Sequence, residues 1–175
     1  MGKLLIVVDY QKDFVDGSLG FAGAEKLEQP ILDKIAAYRR AGDTVAFTFD
    51  THGEDYLSTQ EGRRLPVPHT LKDTAGWALY GKVADARRPE DPCFFKPAFG
   101  SAALFDYLRE HPFESIELVG LVSSICVISN AVLAKAAQPE TPVSVDAGCT
   151  AGGDRHLHEA ALDVMTELQI DVIRR

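Results

Sequence analysis

Cysteine, tryptophan and methionine are all scarce in this sequence: three, one and two residues among 175. An odd cysteine count with no short-range pairing pattern argues against a disulfide framework of the kind that staples small secreted domains. It points instead to a reducing, cytoplasmic setting. Positive charge is also in short supply. Lys and Arg total 18 against 26 Asp and Glu, a net charge of −8, which argues against a nucleic-acid backbone as partner. No apolar run reaches the roughly 20 residues of a membrane span, and no leader-like segment opens the chain, so neither membrane insertion nor export is expected. Internal repeats, low-complexity tracts and linkers are missing as well. What remains is 46% hydrophobic, which suits one globular core and predicts a single domain over residues 1–175.

Within it, apolar runs that do not alternate predict strands buried on both faces of a parallel sheet. They lie at Lys3–Val8, Thr44–Phe49, Pro92–Phe95, Ser115–Val119 and Pro142–Val145, with a short last one at Asp171–Ile173. Helical periodicity covers Ala24–Arg40, Ser101–Glu110 with Ser101 as cap, Ser124–Ala137 and Asp154–Gln169. The last of these presents Ala160, Ala161, Val164, Met165 and Leu168 as its apolar side. Gly17–Gly23 is a glycine-rich loop, and Gly53–Gly76 is irregular and polar, a length that inside a compact domain usually carries function. Strands alternating with helices predict the α/β class: a three-layer α/β/α sandwich around a doubly wound, mostly parallel sheet.

In such a sheet, ligands bind at the C-terminal ends of the strands. Asp9, Asp50, Lys96 and the turn Leu121–Cys126 all fall there. Ser123 or Ser124 is a good N-cap, which places Cys126 in a first helical turn, where the macrodipole biases a thiol toward thiolate. By position alone Cys126 is equally compatible with a small packed hydrophobe. Its company favours a nucleophile: Asp9 could accept the thiol proton, Lys96 could stabilise the ion pair, and the Val122 and Cys126 amides could cradle an oxyanion. A second set, Asp50, His52, Glu61 and His69, mixes nitrogen and oxygen donors that suit zinc, iron or manganese. On spacing alone, a solvated loop with incidental histidines is the simpler account of that set.

Over essentially its whole length the chain resembles the cysteine hydrolases of the isochorismatase-like superfamily, and within it the nicotinamidase (pyrazinamidase) branch. The resemblance rests on Val7-Val8-Asp9-Tyr10-Gln11-Lys12-Asp13-Phe14, on Phe95-Lys96, on Val119-Gly120-Leu121-Val122-Ser123-Ser124-Ile125-Cys126-Val127 and on Leu157-His158-Glu159-Ala160-Ala161-Leu162. The Asp-x-His at Asp50-Thr51-His52, and Pro68-His69 ahead of Asp73-Thr74-Ala75-Gly76, are similar to the marks of the nicotinamidase branch. The chain departs from many of its members at Thr51, Gly53 and Ser124, at Leu65 or Val67 in place of a stacking aromatic, and at Phe99 in place of a tyrosine.

The resemblance implies an isochorismatase-like hydrolase fold, a catalytic triad of Asp9, Lys96 and Cys126, and a cis peptide at Leu121–Val122. It implies a divalent metal ion (Zn, or Fe/Mn) on Asp50, His52, Glu61 and His69, and a substrate pocket with Phe14, Gln11, Leu65 and Phe99. The activity it implies is hydrolysis of nicotinamide to nicotinate and ammonia through a Cys126 thioester, a step of NAD salvage. Two other readings stay open: a superfamily amidase acting on a carbamoyl or ureido compound without metal, and a non-catalytic binding protein on the same fold. The expected partner is a small-molecule amide; a homo-oligomer is compatible with the sequence but not written in it.

Overall fold

The computed structural model describes residues 2–174; Met1 and Arg175, the ends of the expected 1–175 domain, lie outside the described residues. The strands are β1 (Leu4–Val8), β2 (Thr44–Asp50), β3 (Cys93–Lys96), β4 (Ile116–Leu121), β5 (Val143–Ala151) and β6 (Asp171–Ile173). The helices are α1 (Lys12–Val15), α2 (Glu28–Ala41), α3 (Gln60–Arg64), α4 (Gly81–Ala86), α5 (Ala102–Glu110), α6 (Ile128–Ala137) and α7 (Arg155–Glu167). All the strands pair in parallel, in the order β3-β2-β1-β4-β5-β6. The order runs outward in both directions from β1 and β4, so the crevice at their C-terminal ends is the topological switch point, where this architecture binds ligands.

β1 is apolar throughout because both of its faces are covered. Leu4, Ile6 and Val8 pack with Leu104 and Leu108 of α5, Ala131 and Ala134 of α6, and Leu162 and Met165 of α7. Leu5 and Val7 pack with Ile31 and Ile35 of α2 and Val83 of α4 on the other side. This is the expected three-layer sandwich.

Several elements depart from expectation. The stretch Gly53–Gly76 is not wholly irregular: it contains α3, capped by Thr59, whose hydroxyl accepts from the Gly62 amide. β5 runs on through Asp146 to Ala151, past a register shift against β4 between Leu118 and Gly120. α7 buries Ala161, Leu162 and Met165, while Val164 and Leu168 face solvent. Its apolar residues form a wider band than the stripe that packs, and one of two overlapping faces is used. Ser101 caps α5 as expected, accepting from the Leu104 amide.

Gly120 is the position where the backbone requires glycine. Its φ is +111°, and a Cβ there would collide with the backbone of Val8 on the neighbouring strand. Close approach of β4 to β1 brings the segment after Leu121 over the end of β1. Gly120→Ala is therefore expected to destabilise the fold by more than about 1 kcal/mol, read as a lowered midpoint in thermal or urea unfolding.

Candidate active site

Asp9 follows the last residue of β1 with φ +42°, so the chain turns sharply there and leaves the carboxylate fully buried. Its Oδ1 accepts from the Thr48 hydroxyl of β2 at 2.6 Å. Its Oδ2 lies 2.6 Å from Lys96 Nζ as an ion pair but accepts no aligned hydrogen bond. That oxygen keeps a lone pair for an incoming proton. Lys96, the last residue of β3, is 1% exposed; its ammonium also reaches Cys126 Sγ at 3.5 Å, Asp50 Oδ1 at 3.3 Å and the Ala98 carbonyl at 3.1 Å. Three side chains from three separate strand ends thus converge on one point.

Burial and flanking charge set their protonation. Lys96 is pushed above its ordinary range because Asp9, Cys126 and Asp50 outweigh the burial that opposes its charge. Asp9 is raised, chiefly by burial, with Lys96 pulling the other way. Cys126 is raised well above the ordinary thiol, first by burial and then by the Asp9 carboxylate. Burial and the Asp9 carboxylate thus oppose the bias toward thiolate expected from position in the turn, while Lys96 favours it. The expected serine cap is absent too. Residues Ser123–Val127 form a single π-helical turn with Val122 at its N-cap position and no side-chain cap. Ser123 instead bonds His158 Nδ1 of α7 through its hydroxyl, at 2.9 Å. The Leu121–Val122 peptide is cis, as expected.

The second set adjoins the first through Asp50, at the end of β2. Asp50 Oδ2 lies 3.0 Å from His52 Nε2 and 3.4 Å from His69 Nε2. Donor atoms of Asp50, His52 and His69 all fall within 4.8 Å of one another, and all three residues are buried. Glu61 Oε1 of α3 lies beside this group, 3.8 Å from His52 Nε2 and 3.6 Å from His69 Nε2, but is not part of it.

These residues fit a divalent cation on three counts. Donors bound tetrahedrally to zinc at about 2.0–2.1 Å stand roughly 3.3 Å apart, close to the spacings found. His52 Nε2 is buried without a hydrogen-bond partner despite its nearness to Asp50. His69 Nδ1 lies 2.8 Å from the Val67 carbonyl, which holds the ring proton and turns the Nε2 lone pair inward. Burial lowers the His69 imidazole, but Asp50, the Val67 carbonyl and Glu61 raise it by more, the mark of a site that favours positive charge. Asp50 itself is held far below the ordinary carboxylate range: burial opposes this, and His52, His69, Lys96 and Thr70 outweigh it.

A cavity of about 620 Å³ opens beside the second set, lined among others by His52, Glu61, Leu65, Phe99 and Ile125, the last of these next to Cys126 in the chain. Leu65 and Phe99 are exposed at it. Phe14 meets His69 edge-on, with ring centroids 5.6 Å apart. Gln11 is a correction. It is fully buried, its amide nitrogen donates to the carbonyls of Asp50 and Trp77, and its amide oxygen accepts from the Asp50 amide. It clamps the end of β2 and does not line the cavity. Sequence reasoning also passed over Thr48 beside Asp9 and Tyr56, whose ring lies 4.7 Å from that of His52 and 4.9 Å from that of His69. A polar residue one step from a strand end is the signal that could have found Thr48.

Known proteins resemble the chain throughout. A family model described as the isochorismatase domain matches residues 3–175. An uncharacterized isochorismatase family protein, PncA, of Bacillus subtilis (strain 168) is 33% identical over 144 residues, spanning 75% of this chain and 78% of that protein. The nicotinamidase/pyrazinamidase of Mycobacterium tuberculosis is 28% identical over 187 residues, with 98% of each covered. The crystal structure of nicotinamidase PncA from Bacillus subtilis superposes with a TM-score of 0.86 at 27% identity, covering 99% of this chain and all of that one.

Proposed function

The chain belongs to the isochorismatase family, and from that we propose that it is a metal-containing cysteine amidohydrolase that converts nicotinamide and water to nicotinate and ammonia. The observation that carries this is the meeting of Asp9, Lys96 and Cys126 at one point, with Asp50 joining them to the His52–His69 donor set. The named relatives from M. tuberculosis and B. subtilis support the choice of amide.

As Cys126 Sγ attacks the carboxamide carbon, its proton passes to Asp9 Oδ2. Lys96 stays charged beside both groups and steadies the negative charge that moves between them. The oxyanion rests on the Val122 and Cys126 amides, each such donor contributing about 3 kcal/mol to the transition state. Asp9 then returns the proton to the departing nitrogen, and the C–N bond breaks to leave ammonia and a Cys126 thioester. Water, relieved of a proton by Asp9, adds to the thioester; the C–S bond breaks, and the thiol regains its proton. Asp50, His52 and His69, with Glu61 beside them, would hold the cation, zinc or else iron or manganese. When bound, it supplies a Lewis-acid contact that orients the substrate ring. Leu65 and Phe99 shape the apolar side of the pocket, and Phe14 backs it from behind His69. A place in the cytoplasm and in NAD salvage goes with that reaction. Among the described residues no helix is long and apolar enough to cross a membrane.

Ammonia release from nicotinamide by the purified protein, before and after chelation, tests the reading. The expected result is turnover that chelation removes and added divalent metal restores. His69→Ala is expected to lower metal content and raise KM together. Turnover of carbamoyl or ureido compounds without bound metal, and none of nicotinamide, would favour the other amidases of the superfamily.

A further inference from the structure

Thr70 has the least comfortable backbone near the site. It is β-branched with φ +44°, a conformation that such residues rarely adopt and that persists only where the surroundings over-determine it. Here they do. Its amide donates to Asp13 Oδ2 at 2.7 Å, its carbonyl accepts from the His52 amide at 3.1 Å, and its hydroxyl donates to Asp50 Oδ2 at 2.7 Å. Asp13 is itself wedged. Its carboxylate also accepts from the Ser18 amide at 3.3 Å, and it lies so close to Gly76 that any Cβ there would overlap it. Thr70 is fully buried and has no surface to offer a substrate.

One residue therefore touches three of the donors at once. It holds the carboxylate of Asp50, it holds the backbone of His52, and it is the next residue after His69. The oxygen its hydroxyl engages is the one that faces both histidines, while the other oxygen of Asp50 faces Lys96. Without that donor the carboxylate keeps only the Lys96 contact on its other oxygen to set its last torsion, which has no sharp minimum of its own. A bond from outside the donor ring that fixes a ligating carboxylate is worth about 10–100-fold in metal affinity.

We propose that Thr70 is a positioning residue for the metal centre, holding Asp50 Oδ2 toward His52 and His69 while its strained backbone, anchored by Asp13, locks the two histidines in one frame. This rests on the metal-centre reading above.

The test is the dissociation constant of zinc itself, measured on the full chain by competition with a chromophoric chelator at fixed pH. Thr70→Val keeps the shape and the β-branch but loses the donor, and it is expected to bind zinc about 10–100-fold more weakly than wild type. Thr70→Ser keeps the donor and is expected to restore binding to within a few-fold, which a purely structural role would not produce. Should the valine variant fail to fold, Thr70→Ala set against Thr70→Ser makes the same comparison. Wild-type affinity in the variants without the hydroxyl, or a serine variant as weak as they are, overturns the proposal. A wild type that binds no zinc removes the metal centre itself, a different result from a wild type that binds zinc beside a valine variant that binds it equally well.

Discussion

Cys126→Ala is expected to lower ammonia release from nicotinamide by at least about 10⁴-fold, in line with losses seen when a nucleophile is removed from a set that acts as one unit. Folding should survive. Cys126 is packed with Val127 against the inner face of α6, and a sulfur-to-hydrogen exchange there leaves only a small void. Metal content and substrate affinity, measured by metal analysis and calorimetry on the same sample, should stay near wild type. Cys93→Ser is the matched control: that thiol lies half-buried on β3 and faces Arg87 and Asp91 rather than the site. A Cys126→Ala enzyme with even a few per cent of wild-type turnover would exclude the thioester.

Lys96→Met carries the second large effect, and it strikes stability and rate together. The lysine is the cation between two buried carboxylates, Asp9 and Asp50. Its removal leaves buried charge without compensation, a change that costs about 3–5 kcal/mol. Because Lys96 is held above its ordinary value of 10.5, its stabilisation is fully present below that pH and is lost as pH rises through the higher folded-state value. The rate should respond through Asp9. Burial already raises this carboxyl above its ordinary 3.8, and Lys96 is the main influence that lowers it. Activity needs Asp9 ionised, so kcat/KM should rise with pH along an acid limb placed above the ordinary aspartate range. In Lys96→Met that limb should move further toward alkaline pH. A variant that folds and keeps the wild-type profile would show that Lys96 does not govern Asp9.

The layers, the parallel sheet and the strand ends were legible because buried parallel strands are apolar without alternation, and each such run stops at a chemically conspicuous residue: Asp9, Asp50 and Lys96. The turn at Cys126 was legible as a place but not as a conformation. Ser123 and Ser124 look like caps in one dimension; in three, Ser123 is claimed by His158 on a helix that arrives 35 residues later. The electrostatics around the thiol were hard to read for a related reason. Position in a helical turn is local, whereas the burial and the Asp9 charge that raise it come from elements distant in sequence. Gln11 shows the same limit. The resemblance implied a pocket role for it, but its three side-chain hydrogen bonds go to residues 39 and 66 positions away. On α7, Val164 and Leu168 were as apolar as the residues that pack, and only the approach of the sheet decides between the two stripes.

β3 is the edge of the sheet and pairs with β2 alone, over Cys93–Lys96. The proposed triad thus draws its cation from an edge strand of the sheet. The strand's Phe95 is exposed but stacks on Trp77, with ring centroids 5.6 Å apart, and lies 5.3 Å from Phe49. Edge strands open at a lower free energy than the core that they border. Fraying over these few residues would withdraw Lys96 while β1, β4 and the helices stay packed, so activity would be lost before the globule unfolds. On that account the stack of Phe49, Trp77 and Phe95 would hold the strand end closed, although none of the three rings belongs to the proposed triad.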